Sequence, residues 1–201
     1  MAEMGFSEAC ERNKQPILNV LQQAFGACND ILEVGSGTGQ HAVCFARALR
    51  HLSWQPTDTG DYLPGLRNRL NAEAPGNVAD VIELDVRMRP WPVNHYDGIF
   101  SANTLHYMDK DCVEAFFDGV AQALLPGGVL AVYGPFIYKG DFTSSSNARF
   151  DIFLKQEDPL RGIRDFEWVA ELASAKQLEL RDDYALPANN QLLIWRKATG
   201  V

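Results

Sequence analysis

Long apolar runs are missing from this chain of 201 residues: nothing in it approaches the roughly 20 uninterrupted apolar residues that a membrane-spanning helix needs. Membrane insertion is therefore not expected, although a hydrophobic content of 46% suffices for one soluble core. Positive charge is also scarce, with 18 Lys and Arg against 26 Asp and Glu, giving a net charge of −8 and a pI near 5.0. Sequence-independent nucleic-acid binding depends on neutralising phosphates with cations, so this balance argues against it. Arg47, Arg50, Arg67 and Arg69 could form a local basic patch, but they read more simply as a solvated helix face. The four cysteines, Cys10, Cys28, Cys44 and Cys112, form no C-x-x-C pair. Only Cys44 has a histidine, His41, at helical spacing, and two ligands do not make a zinc site; reduced structural thiols and no bound metal are expected. Met1 to Glu8 have neither a basic flank nor an apolar core, so no secretory signal is read there and a cytoplasmic location is the expectation. No repeat and no linker divides the chain, so residues 1–201 are read as a single domain.

What the chain does have is alternation. From about residue 30 to residue 133, apolar strand-like runs alternate with helical patterns, the signature of βαβ units and a parallel sheet in an α/β domain. Strands are predicted over Ile31–Val34, Leu52–Asp58, Val78–Leu84, His95–Ala102 and Val129–Tyr133. Helices are predicted over Thr38–Leu49, Tyr62–Ala74 and Lys110–Leu125, the last stopped by Pro126-Gly127-Gly128. Beyond Gly134-Pro135 a polar stretch, Lys139 to Asn147, precedes a helix through Phe150, Phe153 and Leu154. A further helix, Phe166–Ala175, leads to two late strands, Leu178–Tyr184 and Gln191–Arg196, joined by a turn at Pro187-Ala188-Asn189-Asn190 as an antiparallel hairpin.

The first strand runs straight into Gly35-Ser36-Gly37-Thr38-Gly39 and a helix start. Glycines let the chain turn tightly and let a ligand approach bare backbone, and a helix start offers unpaired N–H groups. A dinucleotide site needs G-x-G-x-x-G, but Gln40 stands where the third glycine belongs. The third glycine is Gly39 instead, and Glu33 lies two residues before the first. This spacing resembles the E/D-x-G-x-G-x-G motif of class I S-adenosylmethionine-dependent methyltransferases. Asp58 ends the second strand about 23 residues after Gly35, near the roughly 20-residue offset at which a carboxylate reaches ribose hydroxyls. The resemblance implies that Asp85 and Val86, after the third strand, meet the adenine, and that Asn103, after the fourth, meets the methionine moiety. Glu33 either holds the glycine loop or reaches the cofactor's ammonium group.

Several segments together resemble a methyltransferase-like family, domain of unknown function 938, over nearly the whole chain: Glu11 to Ile17, Ser36 to Ala42, Trp54 to Asp58, Tyr133 to Phe136, Ser146-Asn147 with Phe150-Asp151, and Pro187 to Asn190. The resemblance implies a Rossmann-like class I methyltransferase fold, with seven mostly parallel strands in the order 3-2-1-4-5-7-6 and a C-terminal antiparallel pair. It implies S-adenosyl-L-methionine as cofactor, held by Gly35, Ser36, Gly37, Gly39 and His41, with Arg12 and Asn13 reaching over the site and the guanidinium free to pair with the cofactor carboxylate.

Methyl transfer from a sulfonium is an in-line displacement, catalysed largely by alignment in a dry pocket, with a base where the nucleophile carries a proton. His106, just beyond the fourth strand, is the base candidate; it reads equally as a histidine that packs without transferring protons. Tyr133 and Tyr138 flank Gly134-Pro135 and are either walls of an acceptor pocket or half-buried aromatics. Ser144 to Asp151 and the Asn189-Asn190 turn offer neutral hydrogen-bonding groups, which suit a small polar acceptor under a lid. Asn103-Thr104-Leu105-His106 is not the Asn/Asp-Pro-Pro-Tyr motif of nucleic-acid base methylation. The sequence leaves two other readings open: a cofactor-binding interaction module without transferase activity, and a nicotinamide-dependent oxidoreductase, which Gln40 disfavours.

Overall fold

A computed structural model describes residues 5–93 and 95–199; Met1 to Met4, part of the stretch read for a secretory signal, lie outside them. The elements follow one another as α1 (Glu8–Ala24), β1 (Asp30–Val34), α2 (Gln40–Ala48), β2 (Ser53–Asp58), α3 (Leu63–Glu73), β3 (Ile82–Glu83), β4 (Tyr96–Ala102), α4 (Lys110–Ala123) and β5 (Leu124–Gly134). Then come β6 (Phe136–Tyr138), β7 (Asp141–Phe142), α5 (Ser145–Glu157), β8 (Arg164–Asp165), α6 (Phe166–Ala175), β9 (Leu178–Leu186), a single 3-10 turn at Pro187–Asn189, and β10 (Asn190–Lys197).

The main sheet has the order β3-β2-β1-β4-β5-β10-β9. Its first five strands are parallel, while β10 runs antiparallel to both β5 and β9. This is the order 3-2-1-4-5-7-6 once the short strands β6, β7 and β8, which form a separate sheet, are set aside. β1 is buried on both faces because it lies at the centre of a sheet covered by helices. Its alternation splits the core: Leu32 and Val34 join the side chains of α4 and α6, and Ile31 joins those of α1, α2 and α3. Each such fully buried aliphatic contributes roughly 1.5–3 kcal/mol. On the α4 side a glycine permits close contact, since a Cβ on Gly119 would lie 1.8 Å from the Trp91 ring.

The structure revises several boundaries. The helix predicted to Leu125 stops at Ala123, and Leu124 already pairs with Tyr96. Pro126 disfavours helical backbone at Leu125, so the helix ends early, and the register shifts before Gly98 meets Val129. The strand predicted over Val78–Leu84 is interrupted: Val78 makes an isolated bridge to Trp54, and only Ile82 and Glu83 form a ladder with β2. Between them Gln55 Nε2 donates to the Asp80 carbonyl at 2.7 Å in place of a backbone partner.

Candidate functional site

The site grows from the end of β1. Gly35 N–H and Ser36 N–H both donate to the Thr57 carbonyl, at 3.1 and 2.9 Å, and so fold the glycine loop back over β2. Gly35 adopts φ +77°, and a Cβ there would meet Thr104 Cγ2 at 2.3 Å, so this glycine is required by conformation and by contact. Gly37, at φ +54°, differs: a Cβ there would meet nothing within 4 Å, and the loop opens onto free space at that residue.

Two carboxylates hold the loop. Glu33 Oε2 accepts from Ser36 Oγ and from Trp54 Nε1, both at 2.9 Å. Glu33 is 1% exposed, and burial pushes its carboxyl up to about 7, opposed by those two donors. Asp58 Oδ2 accepts the Gly37 N–H at 2.6 Å, and Oδ1 accepts the Thr59 N–H at 2.7 Å. Burial raises the Asp58 pKa while the two backbone N–H groups lower it. Each Asp58 oxygen retains acceptor capacity beyond its one N–H donor. Leu84 N–H bonds to the Asp58 carbonyl at 2.9 Å, which brings Asp85 and Val86 to the same sheet edge. Asp85 is engaged by Arg87 Nη2 at 2.6 Å, which holds its pKa below the ordinary carboxylate value, and Val86 is buried. Asn103, at φ +56°, donates its N–H to the Tyr133 carbonyl at 2.8 Å, and Ser101 Oγ bridges the Val34 carbonyl and Thr104 Oγ1. The turn after β4 is thus fastened directly to the glycine loop.

A second polar cluster lies on the α1 face. His41 Nε2 is 2.7 Å from Asn13 Oδ1, and its Nδ1 is 4.0 Å from Cys10 Sγ. Burial drives the His41 pKa down to about 4, so the ring is neutral and stacks on Phe45. Asn190 Nδ2 donates to Tyr133 Oη at 2.9 Å, and Asn147 Nδ2 donates to the Asn189 carbonyl at 2.9 Å, tying α5 to the hairpin turn. Arg12, by contrast, has a side chain 71% exposed, with a 4.0 Å contact to Glu8 as its one ion pair among the described residues.

His106 is 3% exposed, with its ring against Tyr107 and Phe150 and no hydrogen bond to a described residue. Burial, reinforced by the nearby Arg164 charge, lowers its pKa to about 3. Gly134 faces its Nδ1, where a Cβ would stand at an ordinary contact distance of 3.7 Å. Successive residues on β5 point to opposite faces, so the Tyr133 side chain belongs to the α1 side of the sheet. Tyr138 lies elsewhere, with its ring stacked on Phe166 and its hydroxyl donating to Asp183. Among the described residues no three His, Cys, Asp or Glu side chains converge as a metal site would require, and no helix is long and apolar enough to cross a membrane.

Two residues that hold the site have no role assigned in the sequence reading. Gln40 Oε1 accepts from Ser7 N–H at 2.7 Å and from Thr38 Oγ1, and its Nε2 donates to Glu11 Oε1 at 2.7 Å. Arg69, read as part of a solvated face, is buried; it donates to the Thr38 carbonyl at 2.7 Å and to the Gly5 carbonyl at 2.8 Å. Both fasten the start of the chain to the glycine loop.

A glycine loop after the first strand of this sheet, with acidic residues ending β1 and β2, defines a class I methyltransferase fold. Residues 4–197 match the family described as "Protein of unknown function (DUF938)", and the chain belongs to that family. Solved structures agree on the fold. An O-methyltransferase family protein from Burkholderia thailandensis superposes with a TM-score of 0.83 at 19% identity, covering 96% of this chain and 59% of that one. Human N-acetylserotonin methyltransferase, solved in complex with SAM, gives 0.77 at 16% identity, with 96% and 53% coverage. The mitomycin 7-O-methyltransferase MmcR gives 0.77 at 17% identity, with 93% and 54% coverage. The chain thus spans between half and three-fifths of the length of these relatives.

Proposed function

We propose that this protein is an S-adenosylmethionine-dependent methyltransferase acting on a small polar molecule. The observation that carries the reading is the pairing of an open loop at Gly37 with a buried carboxylate, Asp58, that retains acceptor capacity beside it. That set of groups fits a ligand with ribose hydroxyls and no phosphate: it offers carboxylate acceptors and bare backbone, and Arg69, which reaches the loop at the Thr38 carbonyl, is also committed to the Gly5 carbonyl and to Glu73.

In this reading Gly35, Ser36, Gly37 and Gly39 form the floor under the cofactor, and Asp58 accepts from the ribose. Asp85 and Val86 edge the adenine, and Asn103 meets the methionine portion. Glu33 acts through Ser36 and Trp54 to fix the floor. Asn13, His41 and Tyr133 form one wall, and the exposed Arg12 is placed to pair with a carboxylate. When bound, S-adenosylmethionine supplies an electrophilic methyl on a sulfonium whose charge is lost on transfer. His106 is neutral and has an unengaged ring nitrogen, so it accepts the proton of the incoming nucleophile. Its depressed basicity rules out proton uptake ahead of transfer: a neighbouring sulfonium would lower it further, so the imidazole takes the proton only as that charge is lost. Tyr133, through Asn190, keeps the hairpin turn against the acceptor side.

Calorimetry tests the cofactor half. The intact protein is expected to bind S-adenosylmethionine and its demethylated product saturably, with binding lost in Asp58→Ala and Gly37→Val; absence of binding by the intact protein would overturn the reading. Labelled methyl transfer into a small-molecule cell extract tests the rest. His106→Gln is expected to reduce transfer without changing cofactor affinity.

A further inference from the structure

We infer that Arg164 is a positioning residue for His106, clamping the turn that carries it by its backbone carbonyls. The inference rests on the reading of His106 as the proton acceptor given above. Arg164 Nε donates to the Leu105 carbonyl at 3.2 Å, and Nη2 donates to the carbonyls of Met108 and Leu160, the latter at 2.8 Å. Gly162 N–H donates to the carbonyl of His106 itself at 3.0 Å. Three of the four carbonyls from Leu105 to Met108 are therefore held by the short segment that ends at Arg164.

That segment is itself fixed on two sides. Arg164 lies in β8 and pairs with Phe136 of β6, two residues after the Gly134 that faces His106 Nδ1. Asp151 of α5 accepts the Ile163 N–H at 2.8 Å and pairs with Lys155 at 2.6 Å. From above, Phe150 of the same helix meets the His106 ring at 5.3 Å, and the Arg161 guanidinium lies 5.5 Å over the Tyr107 ring. The turn is held from its backbone side by the clamp and from its ring side by Phe150 of α5 and by Arg161.

The choice of arginine is informative because it is costly. Arg164 is 7% exposed, and no carboxylate lies within ion-pair distance of it among the described residues. Asp151 and Asp109 favour the guanidinium from beyond ion-pair distance, yet burial still lowers its pKa, a desolvation cost that methionine or leucine of similar volume would avoid. What an aliphatic side chain lacks is a planar fork of donors that reaches carbonyls on both sides of the His106-Tyr107 pair. Lysine keeps the charge but gathers its donors on one atom, and cannot span Leu105, Met108 and Leu160 together.

The test compares Arg164→Lys and Arg164→Gln with the unaltered protein by imidazole NMR, using His41 as an internal control in the same spectrum. Both variants are expected to shift or broaden the His106 ring resonances and leave those of His41 in place. Calorimetric affinity for S-adenosylmethionine should be unchanged, while labelled transfer into the extract at saturating cofactor falls roughly ten- to a hundredfold, the scale expected for a misplaced reacting group. Arg164→Lys retains the buried charge, so it keeps the comparison informative if Arg164→Gln fails to fold. Unchanged His106 resonances in Arg164→Lys would overturn the clamp, and so would an equal disturbance at His41, which marks general loss of structure. Full transfer by His106→Gln would instead overturn the base assignment, and the His106 resonances would still decide whether Arg164 positions the ring.

Discussion

Replacing Glu33 by Gln should change how the stability of the protein responds to pH, by an amount the structure sets. Glu33 is 1% exposed, and its carboxyl is raised from 4.5 to about 7, chiefly by burial. Between those values the folded chain holds a proton that the unfolded chain has released, so this group's contribution to stability is complete below pH 4.5 and is lost as pH rises through about 7. At about 1.4 kcal/mol per pH unit, the interval corresponds to about 3 kcal/mol. His41 and His106 act in the opposite direction, since burial lowers their pKa values from 6.5 to about 4 and about 3 and they stabilise the fold progressively as pH rises towards 6.5. The raw curve mixes both signs, and the difference between the unaltered protein and Glu33→Gln isolates the carboxyl. Glutamine can still accept from Ser36 and Trp54 through its amide oxygen, so the contacts at 2.9 Å survive. Urea denaturation at intervals from pH 4 to pH 8 is expected to show the variant gaining about 3 kcal/mol on the unaltered protein across the range. A difference that stays flat within about 0.5 kcal/mol would refute the argument that burial controls this group.

Other outcomes follow from the same geometry. Gln40→Ala removes the links to Ser7, Thr38 and Glu11 and should cost about 1–3 kcal/mol, with proteolysis at the start of α1 as the sensitive readout. Gly119→Ala forces a methyl group against the Trp91 ring, where a Cβ would stand 1.8 Å away, and should lower the thermal midpoint despite alanine's better helix propensity; a midpoint at or above the original would contradict it. Asn190→Ala leaves Tyr133 Oη without its amide donor and should destabilise by roughly 1 kcal/mol, measurable by chemical denaturation.

The strand order and the glycine loop were legible because both are written in local patterns: apolar runs at regular intervals, and glycines where backbone must bend. α1 escaped because Pro16 sits within it, although Ser7 as N-cap and Ile17, Leu18 and Leu21 as its buried residues were available as signals. Arg69 has the composition of a surface residue and becomes a buried strut only through contacts 31 and 64 residues away, which no local window contains. Strand alternation alone would have separated Tyr133 from Gly134, and so placed the tyrosine away from the side of β5 on which Gly134 faces His106. Arg164 was invisible for a different reason: its partners are carbonyls, which every residue possesses, so side-chain chemistry along the sequence carries no trace of the clamp.

Gln40 and Arg69 give the glycine loop a direct mechanical link to the outside of the molecule. Phe6 stands between Gly5, which Arg69 holds, and Ser7, which Gln40 holds, yet it is 62% exposed. A fluorophore attached through Phe6→Cys would touch solvent while its backbone remained tied to the loop. Binding of S-adenosylmethionine, or of any other added ligand, at the loop is then read optically.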